Sequence, residues 1–369
     1  MKKVKVLIDL YYFKFAISGI RSYISEFKKA IKEHGSSDIE YIFLGSCNNL
    51  KERRLDLKQK NRFQRFYFHL KYLVYKQVYI PIKLFFLKPN FLISLDFVAP
   101  IFSFRTKKIT VVHDSLFWDQ PENYNSFWRK YFISMIKLAI NHKTHVITTS
   151  KYSIKNLKRV FKKEIKINYS YQTFRNFKEN GIMPNLPKHY ILHIGSFEKR
   201  KGIMTLLKAF QLLKRKDLKL LLVGAQVLNG NNSVYKEIID YVDSNNLNKN
   251  VILTGYVSDS KIPYYYKNAT LYVFPSIDEG FGIPIIEAMN YSVPVICSDI
   301  PVFREVGAGA VQYFDVGNEY SLAESINILL DCNHTRLRLI KNGRNRIQDF
   351  SRKKFLKIFE NIILSSNEK

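Results

Sequence analysis

Short apolar runs alternate with stretches of helical periodicity along most of the chain, and this alternation predicts an α/β fold. In the first half the apolar runs lie at 4–8, 91–95, 109–113 and 145–150. In the second half they lie at 190–195, 218–224, 251–255, 271–276, 293–298 and 311–314. Because buried parallel strands read as continuous apolar runs, we expect two parallel sheets.

Helical periodicity fills most of the gaps between these runs. The predicted helices are 20–34, 126–142, 151–161, 202–215, 233–246, 259–267, 283–291 and 301–307, with two more in the last 35 residues. Residues 179–188 hold Gly181, Pro184 and Pro187 with little periodicity and predict a linker.

The alternation restarts after this linker, so we predict two Rossmann-like, doubly wound domains that face a central cleft. The first domain is predicted over 1–178 and the second over 189–345. The last segment, 346–369, is predicted to be a helix that packs back on the first domain.

The charge of the chain is unevenly distributed. Its 369 residues carry a net charge of +28. Residues 1–180 contain 35 Lys and Arg against 13 Asp and Glu, whereas residues 181–369 contain 24 against 18. An anionic partner of the first half is the expected cause.

Sequence features also limit the cellular location. No apolar run is long enough to span a membrane, and the N-terminus lacks a signal-peptide pattern. The three cysteines, Cys47, Cys297 and Cys332, are too scattered for a disulfide framework and fit a reducing compartment. These features predict a cytoplasmic protein.

The densest basic stretch, residues 51–88, interleaves cations with aromatic residues. The cations include Arg62, Arg65, Lys71, Lys76 and Lys83. Such a pattern suits the headgroup zone of an anionic bilayer, single-stranded nucleic acid, or a core helix whose lysine stems cover apolar surface. Composition leaves these three interpretations open.

The segment 274–306 carries the clearest chemistry, beginning FPSIDEGFGIPIIEAM. A strand is expected to end before a loop with Gly280 and Gly282, and a helix follows whose N-terminus favours phosphate. Glu279 and Glu287 flank that helix start, with seven residues between them. Such a layout suits a sugar nucleotide, which carries sugar hydroxyls, a diphosphate and ribose hydroxyls in order. A solvated helix position is the alternative interpretation of Glu287.

This segment resembles the retaining glycosyltransferases of family 4, which have the GT-B fold, and especially bacterial mannosyltransferases that build O-antigen and capsule chains. The resemblance implies that Glu279 binds the donor sugar and Glu287 the ribose. The loop and helix start between them, Gly280, Phe281, Gly282 and Ile283, would complete the donor site.

Two further segments resemble the donor half of that family. GSFEKRKG, residues 195–202, is similar to the family's phosphate-contacting loop, which implies roles for Ser196, Arg200 and Lys201. Many relatives have Arg where Ser196 stands. The alternative for the Arg200–Lys201 pair is a solvated surface pair. VILTGYVSD, residues 251–259, resembles the strand whose end holds the base.

From this second resemblance, Gly255, Tyr256 and Val257 are expected to line a base pocket, with core packing as the alternative.

In the first half, VVHDSLFW and SGIRSYISEF resemble family elements near the donor sugar and the acceptor. The resemblance implies that His113 contacts the sugar or the acceptor, with Asp114 beside it; a purely structural histidine is the alternative. Gly19 would belong to a glycine-rich acceptor and diphosphate loop, in which Arg21 stands at the position of the family's second glycine.

The resemblance implies a retaining hexosyltransferase with His113, Lys201 and Glu279 as its catalytic residues. The chain has no Asp-x-Asp triplet, so we expect no metal and no other cofactor. The expected substrates are a nucleotide-diphosphate sugar, with GDP-mannose as first candidate, and a polyprenyl-diphosphate-linked saccharide at the inner face of the cytoplasmic membrane. A GT-B-type sugar-nucleotide epimerase and a basic nucleic-acid-binding protein are the alternatives; nucleic acid is not the expected partner.

Overall fold

The computed structural model describes residues 3–16, 19–45, 62–123, 125–161, 164–177, 179–224 and 234–366. The chain forms two compact units. Unit 1 comprises Met1–Thr173 and Ser351–Lys369, and unit 2 comprises Phe174–Phe350. The division therefore precedes the predicted linker at 179–188, and the last helix belongs to unit 1. Cys47 and residues 51–61 of the basic stretch lie outside the described residues.

Unit 1 is built around a parallel sheet. Its strands are β1 (Val4–Asp9), β2 (Ile39–Leu44), β3 (Phe91–Ser94), β4 (Lys107–Val111), β5 (Thr144–Thr148) and β6 (Lys166–Tyr169). Its helices are α1 (Gly19–His34), α2 (Arg62–Val74), α3 (Ile80–Leu87), α4 (Leu116–Asp119), α5 (Ser126–Ala139), α6 (Lys151–Phe161) and the final α14 (Arg352–Ser365). Short 3-10 segments lie at Tyr11–Lys14 and Pro121–Asn123.

The strand order of this sheet is β2-β1-β3-β4-β5-β6. The four predicted strands, β1, β3, β4 and β5, are its central members. The strands β2 and β6, which lie at the two edges of the sheet, were not predicted. Strand β6 alternates exposed and half-buried residues, so it lacks the continuous apolar run of a central strand. Strand β2 ends in the short apolar run 41–44, but only its first residue, Ile39, is fully buried.

Helices α2 and α3 form one continuous run, because a π-helical turn, Tyr75–Tyr79, joins them. Apart from Pro81, the buried residues described in this run are spaced four apart: Phe68, Tyr72, Lys76, Ile80 and Leu84. In a regular α-helix a spacing of four moves around the axis by about 40° per step. The wider π turn reduces this drift, so that the same face stays against the sheet.

Lys76 is enclosed at the carboxyl edge of the unit 1 sheet. Its Nζ donates to Asp9, the last residue of β1, and to Asp96 Oδ1, just after β3, at 2.5 Å. Tyr72 also donates to Asp96, at 2.9 Å. Burial raises the pKa of Asp96 to about 6 in spite of the neighbouring ammonium. Lys76 is therefore not a cation of a basic surface, because it is completely buried. The sequence could not show this, because its two partners lie 67 and 20 residues away along the chain.

The final helix, α14, packs on α1. Phe355 and Phe359 contact the ring of Phe27, and Arg352 binds the buried carboxylate of Glu26 at 2.7 Å. The last segment of the chain thus completes the core of unit 1.

Unit 2 contains a second parallel sheet. Its strands are β7 (Tyr190–Ile194), β8 (Lys219–Val223), β9 (Val251–Gly255), β10 (Leu271–Phe274), β11 (Val295–Ser298) and β12 (Gln312–Phe314). Its helices are α7 (Ile203–Leu212), α8 (Tyr235–Ser244), α9 (Ile262–Lys267), α10 (Ile283–Asn290), α11 (Pro301–Gly307), α12 (Glu319–Asp331) and α13 (Asn333–Arg346). Short 3-10 segments lie at Lys199–Lys201, Ala308–Ala310 and Ile347–Phe350.

The strand order here is β12-β11-β10-β7-β8-β9. The chain builds outward from β7 in one direction and then from β10 in the other, which is the order of a doubly wound Rossmann fold. Connections diverge between β7 and β10, and the crevice at the carboxyl ends of such a pair is where doubly wound sheets bind ligands. All six strands predicted for this half are present.

Replacing Lys76 with Met should destabilise the protein by about 3–5 kcal/mol, because two buried carboxylates would lose their counter-charge. Urea unfolding measures this change. The matched control is Lys71→Met, a change to an exposed lysine on α2, which should stay within about 0.5 kcal/mol of the unaltered chain. Equal effects of the two changes would contradict the role given to Lys76.

Candidate functional site

Two loops meet at the carboxyl ends of β7 and β10. The loop after β7 runs over 195–202, and the loop after β10 runs over 275–282. The Ile277 amide donates to the Arg200 carbonyl at 2.8 Å. Gly202 has a φ of 65°, and a Cβ there would lie 2.0 Å from the Pro275 oxygen. Only glycine at position 202 lets the first loop approach Pro275 this closely, so Gly202 is required for the contact between the two loops.

The carboxylate of Glu279 is bound by both cations of the first loop. Lys201 Nζ donates to Oε1, and Arg200 lies 3.1 Å from Oε2. Burial alone would raise the pKa of Glu279, but these two cations outweigh burial, and the pKa lies below its ordinary value. Lys201 is buried, so the interpretation of Arg200–Lys201 as a solvated surface pair is wrong.

The second loop leads into α10. Gly282 has a φ of 105° and precedes the first residue of the helix, Ile283. A side chain at Gly282 would meet the ring of Phe303 at 2.9 Å. Pro284 lies in the first turn, where a missing N–H breaks no helical hydrogen bond. Phe281 is buried against Phe350. The helix start is therefore fixed beside Glu279, where backbone N–H groups and the helix dipole favour an anion.

Glu287 is completely buried within α10, so the solvated interpretation of this residue is wrong. Its carboxylate accepts from Arg175, with Nε at 2.7 Å from Oε1 and Nη2 at 3.3 Å from Oε2. Tyr266 donates to Oε2 at 3.3 Å. Burial lowers the pKa of Arg175, but Glu287 more than compensates, and that pKa is raised. Arg175 was not predicted as a site residue, because it lies outside the family-like motifs, 112 residues from Glu287.

The remaining predicted donor residues lie at the ends of neighbouring strands. Ser196, after β7, donates to Glu198 at 3.0 Å. Gly255 ends β9 with a φ of 68°, and Tyr256 is 57% exposed. Core packing is therefore the wrong interpretation for Tyr256, whereas the half-buried Val257 remains compatible with either environment.

His193 on β7 is a second residue that the sequence analysis missed. Its Nδ1–H donates to the Val273 carbonyl at 3.1 Å, which leaves a lone pair on the buried Nε2. Burial lowers its pKa to about 4, and the charges of Lys201 and Glu279 also act on it. The only sequence signal is its position two residues before GSFEKRKG.

In unit 1 the structure places His113 just beyond β4, in a buried aromatic setting. Its Nε2–H donates to the Leu95 carbonyl at 2.9 Å, and the rings of Tyr23 and Phe97 lie 4.7 and 5.0 Å away. Burial lowers its pKa to about 4. The imidazole is neutral at pH 7, with a lone pair on Nδ1 that can accept a hydroxyl proton.

The other predicted residues of unit 1 occupy helix and turn positions. Asp114 accepts from the Leu116 amide at 3.0 Å. Gly19 is the first residue of α1, where a Cβ would meet no atom within 4 Å. The guanidinium of Arg21 lies 4.7 Å from the centre of the Phe13 ring. These residues and His113 belong to unit 1, whereas the Glu279 and Glu287 residues belong to unit 2.

Comparison with known families identifies the second unit. Residues 174–346 match the family described as "Glycosyl transferases group 1", and these residues are almost all of unit 2. Unit 2 is therefore similar to this glycosyltransferase family over almost its whole length. The loops that carry Lys201, Glu279 and Glu287 all lie within the matched range.

Relatives of the chain act in bacterial polysaccharide synthesis. O-antigen chain mannosyltransferase B of Escherichia coli is 28% identical over 218 residues, 54% of this chain and 55% of that protein. O-antigen chain mannosyltransferase RfbU of Salmonella typhimurium is 30% identical over 225 residues, 60% of each chain. The chain therefore matches a little over half the length of these relatives, and it resembles O-antigen mannosyltransferases.

Solved structures confirm the GT-B fold. The chain superposes on sucrose-phosphate synthase from Thermosynechococcus elongatus with a TM-score of 0.70, 18% identity and full coverage of both chains. It superposes on WaaG, a glycosyltransferase involved in lipopolysaccharide biosynthesis, with a TM-score of 0.65 and 13% identity, covering 97% and 99%. The prediction of a GT-B glycosyltransferase fold is thus correct.

Acid should destabilise the protein through its two buried histidines, His113 and His193. An unfolded histidine takes up its proton near pH 6.5, but His193 does so only near pH 4 in the fold. The contribution of neutral His193 to the free energy of unfolding is therefore full above pH 6.5 and is lost as the pH falls from 6.5 to 4. Between pH 7 and pH 5 we expect a loss of about 2 kcal/mol from His193.

Urea unfolding at pH 7 and pH 5 measures the total loss, and His193→Asn should remove the part that comes from His193 and leave the part that comes from His113. His189→Gln, at an exposed histidine, is the control and should leave the pH dependence unchanged. The same pH dependence in all three proteins would show that His193 is not the titrating group.

Proposed function

We propose that the protein transfers a hexose from a nucleotide-diphosphate sugar to a lipid-linked saccharide, with retention of anomeric configuration, in bacterial surface polysaccharide synthesis. The observation that carries the proposal is Glu279, an ionised carboxylate held by Lys201 and Arg200 beside the start of α10. GDP-mannose is the first candidate donor, because the O-antigen relatives are mannosyltransferases.

The proposed donor lies along one edge of unit 2. Glu279 accepts hydrogen bonds from hexose hydroxyls, while the diphosphate meets Lys201, Arg200 and the N–H groups at the start of α10. The base lies against the strand end at Gly255, Tyr256 and Val257. The hexose, the diphosphate and the base of the donor then lie in the same order as Glu279, the cations with the α10 start, and the end of β9.

Glu287 is proposed to bind the ribose. Its three contacts with Arg175 and Tyr266 use most of the hydrogen bonds that a carboxylate accepts, which number about four. We propose that a ribose hydroxyl takes the remaining acceptor position on Oε1, which requires the donor to reach a carboxylate that is buried in the chain without ligand. Arg175 then acts as a positioning residue that fixes the carboxylate before the donor arrives.

The reaction breaks the bond between the anomeric carbon and the diphosphate oxygen. Negative charge grows on that oxygen, and preorganised cations stabilise it. We propose that Lys201, Arg200 and the α10 start do this without a metal or other cofactor. His113, neutral at pH 7, is proposed to accept a hydroxyl proton from the sugar or the acceptor.

Unit 1 is proposed to bind the acceptor, with Gly19, Arg21 and Asp114 near its diphosphate. A relative from Campylobacter jejuni, 26% identical over 246 residues, is named for a diphospho-undecaprenol substrate. We propose a similar polyprenyl-diphosphate-linked saccharide here, met at the inner face of the cytoplasmic membrane. None of the described helices is long and apolar enough to cross a bilayer, so the proposed attachment is peripheral.

Donor binding tests the proposal directly. Thermal-shift and calorimetric titrations with GDP-, UDP- and dTDP-sugars should show one class that stabilises the protein. Glu279→Gln and Glu287→Gln keep side-chain size but remove charge, and each should weaken that binding by about 10- to 100-fold. Glu324→Ala, at an exposed glutamate of α12, is the matched control and should bind normally.

Full donor affinity in both glutamine variants, with circular dichroism of the unaltered chain, would refute these assignments. Transfer of labelled hexose to a lipid-extractable product separates a transferase from an epimerase, which would change the donor without an acceptor. The anomeric configuration of the product, read by NMR, tests retention.

A further inference from the structure

The α2–α3 run of unit 1 has an outer face that is apolar and exposed. While Lys76, Ile80 and Leu84 face the sheet, the opposite face presents large apolar side chains to solvent. At its C-terminal end these include Val78, Ile82, Phe85 and Phe86, of which Phe86 is 73% exposed. Soluble surfaces rarely collect such residues in one place, so the face needs a partner.

A second segment extends this face. Phe102 and Phe104, in the loop between β3 and β4, are 72% and 55% exposed. The Phe104 ring lies 5.6 Å from Phe85, and Phe85 lies 5.5 Å from Phe86. Phe104 has a φ of 51°, a left-handed conformation that costs energy in a phenylalanine. We call Val78, Ile82, Phe85, Phe86, Phe102 and Phe104 the aromatic patch.

Cations surround the aromatic patch, and acidic residues are missing from the sequence around it. No Asp or Glu occurs from 57 to 95. Lys83 lies 5.5 Å from the centre of the Tyr79 ring, and Lys88 and Arg105 are exposed beside the phenylalanines. Apolar tips with lysine and arginine around them fit the boundary between acyl chains and anionic headgroups.

Charge and chemistry select among the possible partners. A second copy of this chain would bring like charges together across the contact, which is unfavourable at a net charge of +28. Nucleic acid needs ring faces on which bases stack, but Val78 and Ile82 offer none, and Phe85 and Phe86 pack edge to face with each other.

We propose that the aromatic patch inserts into the surface of an anionic bilayer and is the membrane-docking site of this protein. The inference rests on the proposed lipid-linked acceptor, because that substrate would lie in the membrane to which the patch binds. From the patch, the same helical run leads to Lys76 at the carboxyl edge of the sheet. A docked patch would hold the acceptor-binding unit at the membrane.

Flotation with phosphatidylglycerol-containing vesicles and with pure phosphatidylcholine vesicles tests the proposal. The unaltered chain should bind the anionic vesicles preferentially, with binding that weakens as salt is added. The triple variant Phe85→Ser, Phe86→Ser and Phe104→Ser should lose at least about tenfold in partitioning. Lys83→Gln combined with Arg105→Gln should reduce binding to anionic vesicles but not the weak binding to neutral ones.

Tyr320→Ala, which removes a 71% exposed aromatic residue from unit 2, is the control and should partition like the unaltered chain. Equal binding to both vesicle types, or unchanged binding by the triple variant, would overturn the proposal. So would a dimer or an oligonucleotide complex that the triple variant abolishes while vesicle binding persists.

The vesicle assay requires neither donor nor acceptor, so its result is independent of the proposed reaction. Stabilisation by the nucleotide sugar, measured without lipid, should be the same in the triple variant and in the unaltered chain. Loss of vesicle binding with intact donor binding supports the docking site. Vesicle binding without any donor binding would instead count against the proposed function alone.

Discussion

The site in unit 2 depends on one electrostatic arrangement, the carboxylate of Glu279 held by Lys201 and Arg200. Burying a carboxylate without counter-charges would favour its protonated form. The two cations keep it ionised, and they come from the loop after β7 while Glu279 comes from the loop after β10. The strands β7 and β10 are far apart in the chain and become neighbours through the doubly wound strand order. The fold therefore brings the two cations to Glu279.

Unit 1 contains a comparable ion cluster at the corresponding place in its own sheet. Asp9 is the last residue of β1 and Asp96 follows β3, at the point where the strand order changes direction, and Lys76 lies between them. There the cation comes from a long helical run that closes over it. The cluster in unit 1 is buried and fixes the α2–α3 run to the sheet. The cluster in unit 2 instead borders a helix start that can bind a ligand.

The sequence predicted the features that depend on local patterns. Continuous apolar runs located the central strands of both sheets, and glycines and prolines located the loops that carry Glu279 and Lys201. The two missed strands, β2 and β6, lie at the sheet edges; β6 has no such run, and β2 has only the short run 41–44. Local patterns also could not reveal that Arg175 binds Glu287 or that Lys76 is buried, because each depends on a partner far away in the chain. His193 was missed because a lone strand histidine has no distinctive spacing.

The central claim is that a nucleotide sugar binds in unit 2 with its hexose on Glu279 and its ribose on Glu287. A crystal structure of the full chain with the tightest-binding nucleotide sugar tests it most directly. The account predicts hexose hydroxyls within hydrogen-bond distance of Glu279, the diphosphate at Lys201 and the start of α10, and the ribose at Glu287. A ligand bound away from the β7 and β10 strand ends would contradict it.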